Sequence, residues 1–482
     1  MVSAAIVGGG VGGLAAAIRL RALGHDVVVL ERNDTLGGKL AVREHDGFTF
    51  DVGPSVLTLP HVIDECFGTV GAALADEVTL HRLDPQLRYH WPDGTMLDVR
   101  EDPAATAAAF DAFSSRAGAQ WRRFDERGRR IWDVSERTFF AGPMSGPTAL
   151  VRRLRSPRDL AAIDPLATLA RRARQSFTDE RLVQWASRYA TYSGSSPFRA
   201  PATLGCIPHI ESRFGVWYPQ GGLGALRDAF VRVATGAGAE LRTGVEVVAI
   251  SSSDDRVVGV ELAGGERIRA DIVVADVDAH HLYADLLPDR PALRRVDRAE
   301  RSTSGFVVVA GADGATPGVA HHQVWFSGDY EAEFARFEAG DPSEDPTVYA
   351  CVSSVTDPTQ APTGAENWFL LVNVPPRPDR VTPEYVDVVL DTLERRGVEL
   401  RSRARFVDVI TPGDFERRDR SPGGAIYGTS SNGWRSAFLR PGNRGARRGL
   451  YLVGGSSHPG GGLPLVTMSA RIVADMIKDD GW

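Results

Sequence analysis

Cysteine is nearly absent: Cys66, Cys206 and Cys351 stand far apart in 482 residues, with no C-x-x-C pair. That spacing argues against a disulfide framework and against a zinc site, so no metal is expected, and a reducing compartment fits. Lysine is scarcer still, since only Lys39 and Lys478 of the 55 basic residues are not arginine. No apolar run approaches the ~20 residues that a membrane-spanning helix requires. The chain opens directly on an apolar strand pattern, so no signal peptide is expected. Positive charge is not in excess: the formal net charge is -7 and the pI near 5.9, which gives no reason to expect nucleic acid as a partner. Ser-His-Asp and Cys-His constellations are also missing. With 43% hydrophobic and 24% charged residues, the chain reads as globular, with two or three domains.

What is present begins at once. Ala4 to Val7 is a short apolar run bounded by glycine, as a parallel strand buried on both faces should be. Gly8, Gly10 and Gly13 then fill G-x-G-x-x-G, with Gly12 inside the same turn. The first glycine permits the tight turn, the second lets a pyrophosphate approach the backbone, and the third lets the helix pack on the strand. A helix from Leu14 to about Leu23 carries Ala15, Ala16 and Ala17 for close packing, and its N-terminus offers free N–H groups to phosphate. Val27 to Leu30 reads as the second strand, and Glu31, followed by Arg32, closes it eighteen residues after Gly13. A carboxylate there accepts hydrogen bonds from ribose hydroxyls and disfavours a 2′-phosphate, so the cofactor is FAD or NAD. No second G-x-G-x-x-G follows a strand, so a separate NADPH-binding domain is not expected.

Gly37-Gly38-Lys39 resembles the second flavin fingerprint of the large FAD oxidoreductase group that includes amine oxidases and carotenoid desaturases. Phe50-Asp51-Val52-Gly53-Pro54-Ser55 narrows the resemblance to the phytoene desaturase branch, and the cofactor to FAD. Further motifs recur in that family's order. They are Trp217-Tyr-Pro-Gln-Gly221-Gly222, Thr356-Asp357 to Ala361-Pro362, and Thr411-Pro412-Gly-Asp414-Phe415. Last comes Leu450-Tyr-Leu-Val-Gly454-Gly455-Ser-Ser-His458-Pro459 to Gly462-Leu463-Pro464, a strand, glycine turn and helix start that make a second anion cradle. Its Gly-Gly-Ser-x-His form is similar to desaturases of hydroxylated carotenoids. The resemblance, to carotenoid (phytoene-type) desaturases, covers nearly the whole chain.

It implies an α/β fold with a Rossmann-type FAD-binding domain, a discontinuous α+β substrate domain and a helical insertion. We expect the FAD-binding domain in three pieces, residues 1–98, 214–288 and 421–482. The helical insertion is expected over 99–213, from its alanine-rich and tryptophan-bearing helix patterns, and the substrate sheet over 289–420. Val247, on a strand expected over Val245–Ile250, joins the cofactor contacts. The implied chemistry is removal of two hydrogens from a long polyene, hydride passing to flavin N5, with oxygen or a membrane quinone as electron acceptor. Arg158-Asp159 resembles the family's proposed acid–base element and makes Asp159 the catalytic candidate, although Ala162 replaces a further arginine of that element. Leu150 to Arg174 interleaves arginines with leucines, which suits either an ordinary solvated helix face or a basic surface lying on an anionic bilayer. A polyene dissolves in membrane, so a cytoplasmic enzyme attached to the inner membrane face is expected. Three rivals share parts of the pattern: an amine oxidase, a flavin-dependent polyene isomerase and a non-catalytic carotenoid or lipid carrier. Amine oxidases commonly place a lysine near N5, and neither Lys39 nor Lys478 is free for that task.

Overall fold

The computed structural model describes residues 2–144, 146–433 and 435–482. The valine and alanine runs read as buried strands form a five-stranded parallel sheet in the order Leu450–Leu452, Ile272–Ala275, Ser3–Val7, Asp26–Leu30, Glu240–Arg242. Every residue from Ile272 to Ala275 is buried, as continuous apolar strands covered on both faces must be. The helix Val11–Ala22 packs its alanines against the terminal helix Leu463–Asp479 and the helix Gly222–Gly236. A three-stranded antiparallel ribbon, Val247–Ser253, Arg256–Leu262 and Arg267–Arg269, covers the other side.

A second sheet has seven strands in the order Ala404–Ile410, Ser304–Asp313, Ala365–Val374, Val348–Cys351, His322–Trp325, Leu87–His90, Met96–Val99. Its last two strands lie inside the segment 1–98 expected to belong to the nucleotide domain. Leu87–His90 instead runs parallel to His322–Trp325, with Arg88 beside Gln323, and carries Met96–Val99 with it. The substrate sheet therefore begins near residue 87.

Helices Pro103–Asp111, Ala117–Thr138, Pro147–Arg153, Pro157–Ile163, Leu169–Ser176, Glu180–Arg188 and Ile207–Phe214 fill the expected insertion. Phe110, Trp121, Phe124, Phe177 and Trp185 knit several of these helices together. Trp185 stands edge-on to Phe110 at 4.9 Å, within the range where paired aromatic rings gain about 1 kcal/mol beyond burial. The same core reaches Val307 and Phe369 of the seven-stranded sheet, so helices and sheet close on each other like two walls. Among the described residues no helix is long and apolar enough to cross a membrane.

Candidate active site

One cavity of about 660 Å³ runs from the glycine turn of the parallel sheet into the gap between helices and second sheet. At its nucleotide end, the Glu31 Oε2 accepts the Gly9 N–H at 2.8 Å, and Oε1 accepts from the Asn33 N–H and amide at 2.9 and 2.6 Å. These bonds hold the carboxylate at the strand end where a ribose is expected, with Val247 across the cavity. Arg32 is turned away towards the chain: its Nη2 donates to the Arg417 carbonyl at 2.8 Å. It closes the adenosine end and remains on the cavity lining.

Asp276 was not singled out from sequence, yet it sits at the centre of the cradle. Its Oδ2 accepts the Gly13 N–H at 2.7 Å, and a Cβ on Gly454, whose φ is +93°, would stand 2.1 Å from its Oδ1. The two glycine turns, 440 residues apart in sequence, thus meet through one carboxyl group. Burial pushes that carboxyl up to about 6, with the Glu31 charge adding to the shift and the Gly13 N–H and Lys39 opposing it. Its signal in sequence was only that it ends a buried strand.

The second fingerprint closes over the turn. Gly37 donates its N–H to the Gly9 carbonyl at 2.8 Å, and Gly38 lies against Gly10. Lys39 Nζ donates to the Ile426 carbonyl at 3.0 Å, so it ties the nucleotide domain to the glycine segment Gly423–Gly428. Gly53 is required by contact: a Cβ there would stand 1.8 Å from the Lys39 carbonyl. Pro54, Ser55, Gly455, Gly462, Leu463 and Pro464 line the same cavity. The structure therefore brings together all the expected cofactor residues except Gly13, which faces Asp276 behind the lining. The fit to a dinucleotide is good, because a bare-backbone cradle, a strand-end carboxylate and a helix N-terminus line one cleft.

The Trp217 to Gly222 element does something different from lining the cofactor. Asp51 accepts the N–H groups of Leu223 and Gly224 at 2.9 and 3.2 Å, and Asp357 accepts that of Gly221 at 2.7 Å. Three separate motifs thus meet at the N-terminus of Gly222–Gly236, where free N–H groups favour carboxylates. Burial raises the Asp51 carboxyl to about 6 despite these bonds.

Asp159 also lies elsewhere. It opens the helix Pro157–Ile163, where Oδ1 accepts from Arg137 Nη2 and Oδ2 from the Arg155 N–H, each at 2.7 Å. The Arg155 N–H, with Arg137, holds its carboxyl below the usual range, and it is not among the cavity-lining side chains. That placement is of a first-turn carboxylate and ion-pair partner. The basic stretch around it is only partly outward. Arg152, Arg155 and Arg158 are exposed, as are Val151, Leu160 and Leu166, whereas Arg153 turns inward onto the carbonyls of Thr138, Gly142 and Pro143. Leu150, Ile163 and Pro165 from the same stretch line the cavity, so this surface lies over it.

Past the cofactor end, the cavity wall is mainly apolar, with Val307, Phe369, Leu371 and Ile426 from the second sheet and its connections. Ser55 Oγ and the Tyr349 hydroxyl are 2.7 Å apart, and Tyr349 reaches His322 Nδ1 at 2.8 Å. Burial keeps His321, lowered to about 3, and His322 neutral. Cys351 lies against both rings. Arg188, which sequence reasoning missed, reaches the cavity from the helical side above Tyr349.

The sequence profile of flavin containing amine oxidoreductases matches residues 11–478. The chain is 34% identical over 485 residues to a 4,4'-diapolycopene oxygenase of Methylomonas sp, covering 98% of each protein. It is 33% identical over 483 residues to a 4,4'-diaponeurosporene oxygenase of Staphylococcus aureus (strain USA300), covering 98% of this chain and 97% of the relative. Among solved structures, a triple mutant from a redesign of cofactor binding in putrescine oxidase superposes with a TM-score of 0.64 at 15% identity, covering 99% of both chains. At that identity the likeness is one of fold.

Proposed function

The chain belongs to the flavin-containing amine oxidoreductase family and is an FAD-dependent oxidoreductase, and from that premise we propose that it oxidises a carotenoid or related long isoprenoid polyene. The observation that carries the proposal is the continuity of the dinucleotide cradle, past Ser55, with an apolar arm at Val307, Phe369, Leu371 and Ile426. Bound FAD supplies the two-electron acceptor. The protein's own part is to hold a stiff apolar chain against that acceptor and to keep water out while a hydride and a proton leave neighbouring carbons. Introduction of a C=C bond is the reading we favour. Oxidation at the chain end is a second reading, favoured by the names of the two curated relatives. An amine oxidase reaction is disfavoured because Lys39 Nζ is engaged by the Ile426 carbonyl.

Oxygen or a membrane quinone is the proposed electron acceptor. For docking we propose the stretch 151–166, where Val151, Leu160 and Leu166 and also Arg152, Arg155 and Arg158 are exposed. Leucine and valine would enter the acyl boundary while guanidinium groups meet lipid phosphate. The decisive experiment presents the holoenzyme, without oxygen, with a polyene in liposomes. Bleaching of the flavin bands together with a red shift of the polyene spectrum is expected. Bleaching without a shift would point to oxidation elsewhere on the molecule, and a spectral change with the flavin left oxidised would make the protein an isomerase.

A further inference from the structure

Arg188 ends the helix Glu180–Arg188 and is 7% exposed, yet it lines the cavity, and its enclosed Nη1 has no hydrogen-bond partner. Arginine remains charged in any protein environment, so this is a buried cation. Three tyrosine rings surround it, with the guanidinium carbon 5.5 Å from the ring centre of Tyr192, 5.7 Å from Tyr349 and 6.0 Å from Tyr89. Such rings offset part of the cost of burying the charge but accept no N–H in its plane. The carboxyl whose field reaches the guanidinium is Glu211, fully buried. Both its oxygens are taken, by the Tyr189 hydroxyl at 2.9 Å and the Tyr192 hydroxyl at 2.7 Å, and burial raises its pKa. A cation on the cavity lining is therefore held beside the flavin fingerprint, through Tyr349 and Ser55, in a cavity whose wall is mainly apolar.

A pure hydrocarbon in that cavity would leave the guanidinium charge on its wall without a partner, at the cost that attends any buried unpaired charge. We propose that the Arg188 guanidinium receives an oxygen at the end of the polyene, as a conjugated aldehyde or carboxylate. The guanidinium fork suits a carboxylate with two bonds and an aldehyde with one. This inference rests on the reading of the cavity as a polyene site, and it deepens that reading by fixing the substrate's end group and its orientation, terminus on Arg188.

The test uses flavin-loaded enzyme and three acyclic polyenes of one length: the hydrocarbon, its terminal aldehyde and its terminal carboxylate. Binding is read from quenching of tryptophan fluorescence, Trp132 being on the cavity wall. The wild type should bind the carboxylate at least tenfold more tightly than the hydrocarbon, with the aldehyde between. Arg188→Met should reduce the preference to within twofold while holding the hydrocarbon as well as or better than before. Arg188→Lys, which retains the charge and loses the fork, should keep a preference for carboxylate but lose that for aldehyde. Flavin content of each variant reports folding. If Arg188→Met loses its flavin, the wild-type ratio and Arg188→Lys decide. Equal binding of all three polyenes to the wild type overturns the inference and leaves the polyene reading standing. Failure of any polyene to bind overturns both.

Discussion

Flavin binding should be coupled to protons through the carboxyl group of Asp276. Its pKa is raised from 3.8 to about 6, mainly by burial. A shift of that size corresponds to about 3 kcal/mol, as an upper limit, because the side chain is only partly buried and solvent in the cleft screens it. The sign follows from the direction. For a carboxyl whose folded value is raised, the folded state binds the proton more tightly, so this group's contribution is full below pH 4 and is lost as pH rises towards 6. Above pH 6 the apoprotein carries a destabilising carboxylate, set among Gly10, Gly12 and Gly454 where a pyrophosphate would lie. FAD would bring further negative charge to that place, so its binding is expected to favour Asp276 protonated or displaced. Asp276→Asn keeps an oxygen for the Gly13 N–H and cannot ionise. It should raise apoprotein stability by up to about 3 kcal/mol at pH 8 and by almost nothing near pH 4. FAD affinity of the wild type should fall by up to about tenfold per pH unit between pH 6 and 8, the slope of one proton taken up on binding. The variant should be flat over that range. Flavin fluorescence titration of deflavinated protein measures the affinity, and thermal melts at several pH values measure the stability. Parallel pH profiles for wild type and variant would refute the argument.

Gly10→Val places a branched side chain where a Cβ already stands 2.6 Å from Asp276 Oδ2, so the purified protein should lack the visible flavin bands; a fully loaded yellow variant would contradict this. Arg152, Arg155 and Arg158 changed together to Glu should lower binding to anionic liposomes more than a hundredfold at low salt, since each arginine contributes about 1 kcal/mol near such a surface. Parent binding should itself weaken with salt, and unchanged sedimentation of the variant would place docking elsewhere. NADPH alone should not bleach the flavin; rapid stoichiometric reduction would show a nicotinamide site that no second glycine fingerprint announces.

The cofactor half of the site was legible because its determinants are local: glycines, an adjoining strand and a strand-end acid lie within fifty-five residues. The edge of the substrate sheet was not, because Leu87–His90 finds its partner 235 positions later and nothing in its own pattern names it. Arg188 was hidden among Arg171, Arg172, Arg174 and Arg181, which face water or carboxylates. One signal was available: it follows Trp185 by three residues and so shares that helix's apolar face, where a cation is out of place. Asp159 shows the converse. Its neighbours resemble an element of the family, but an aspartate in the first turn of a helix beside arginines also satisfies the simple chemistry of an ion pair and the helix dipole.

The central strand Ser3–Val7 lies between one strand made early and another closed only by Leu450–Leu452 beyond it. A ribosome adding about 5–20 residues per second needs roughly 20 to 90 s to travel from Gly8 to Gly454. Throughout that interval the nascent chain holds a glycine turn with no opposing half, and its valine-rich strands lack a flank. Cofactor loading is thus expected only once Gly454 has left the ribosome, and a truncation before the helix Leu463–Asp479 should abolish flavin uptake and leave the sheet uncovered.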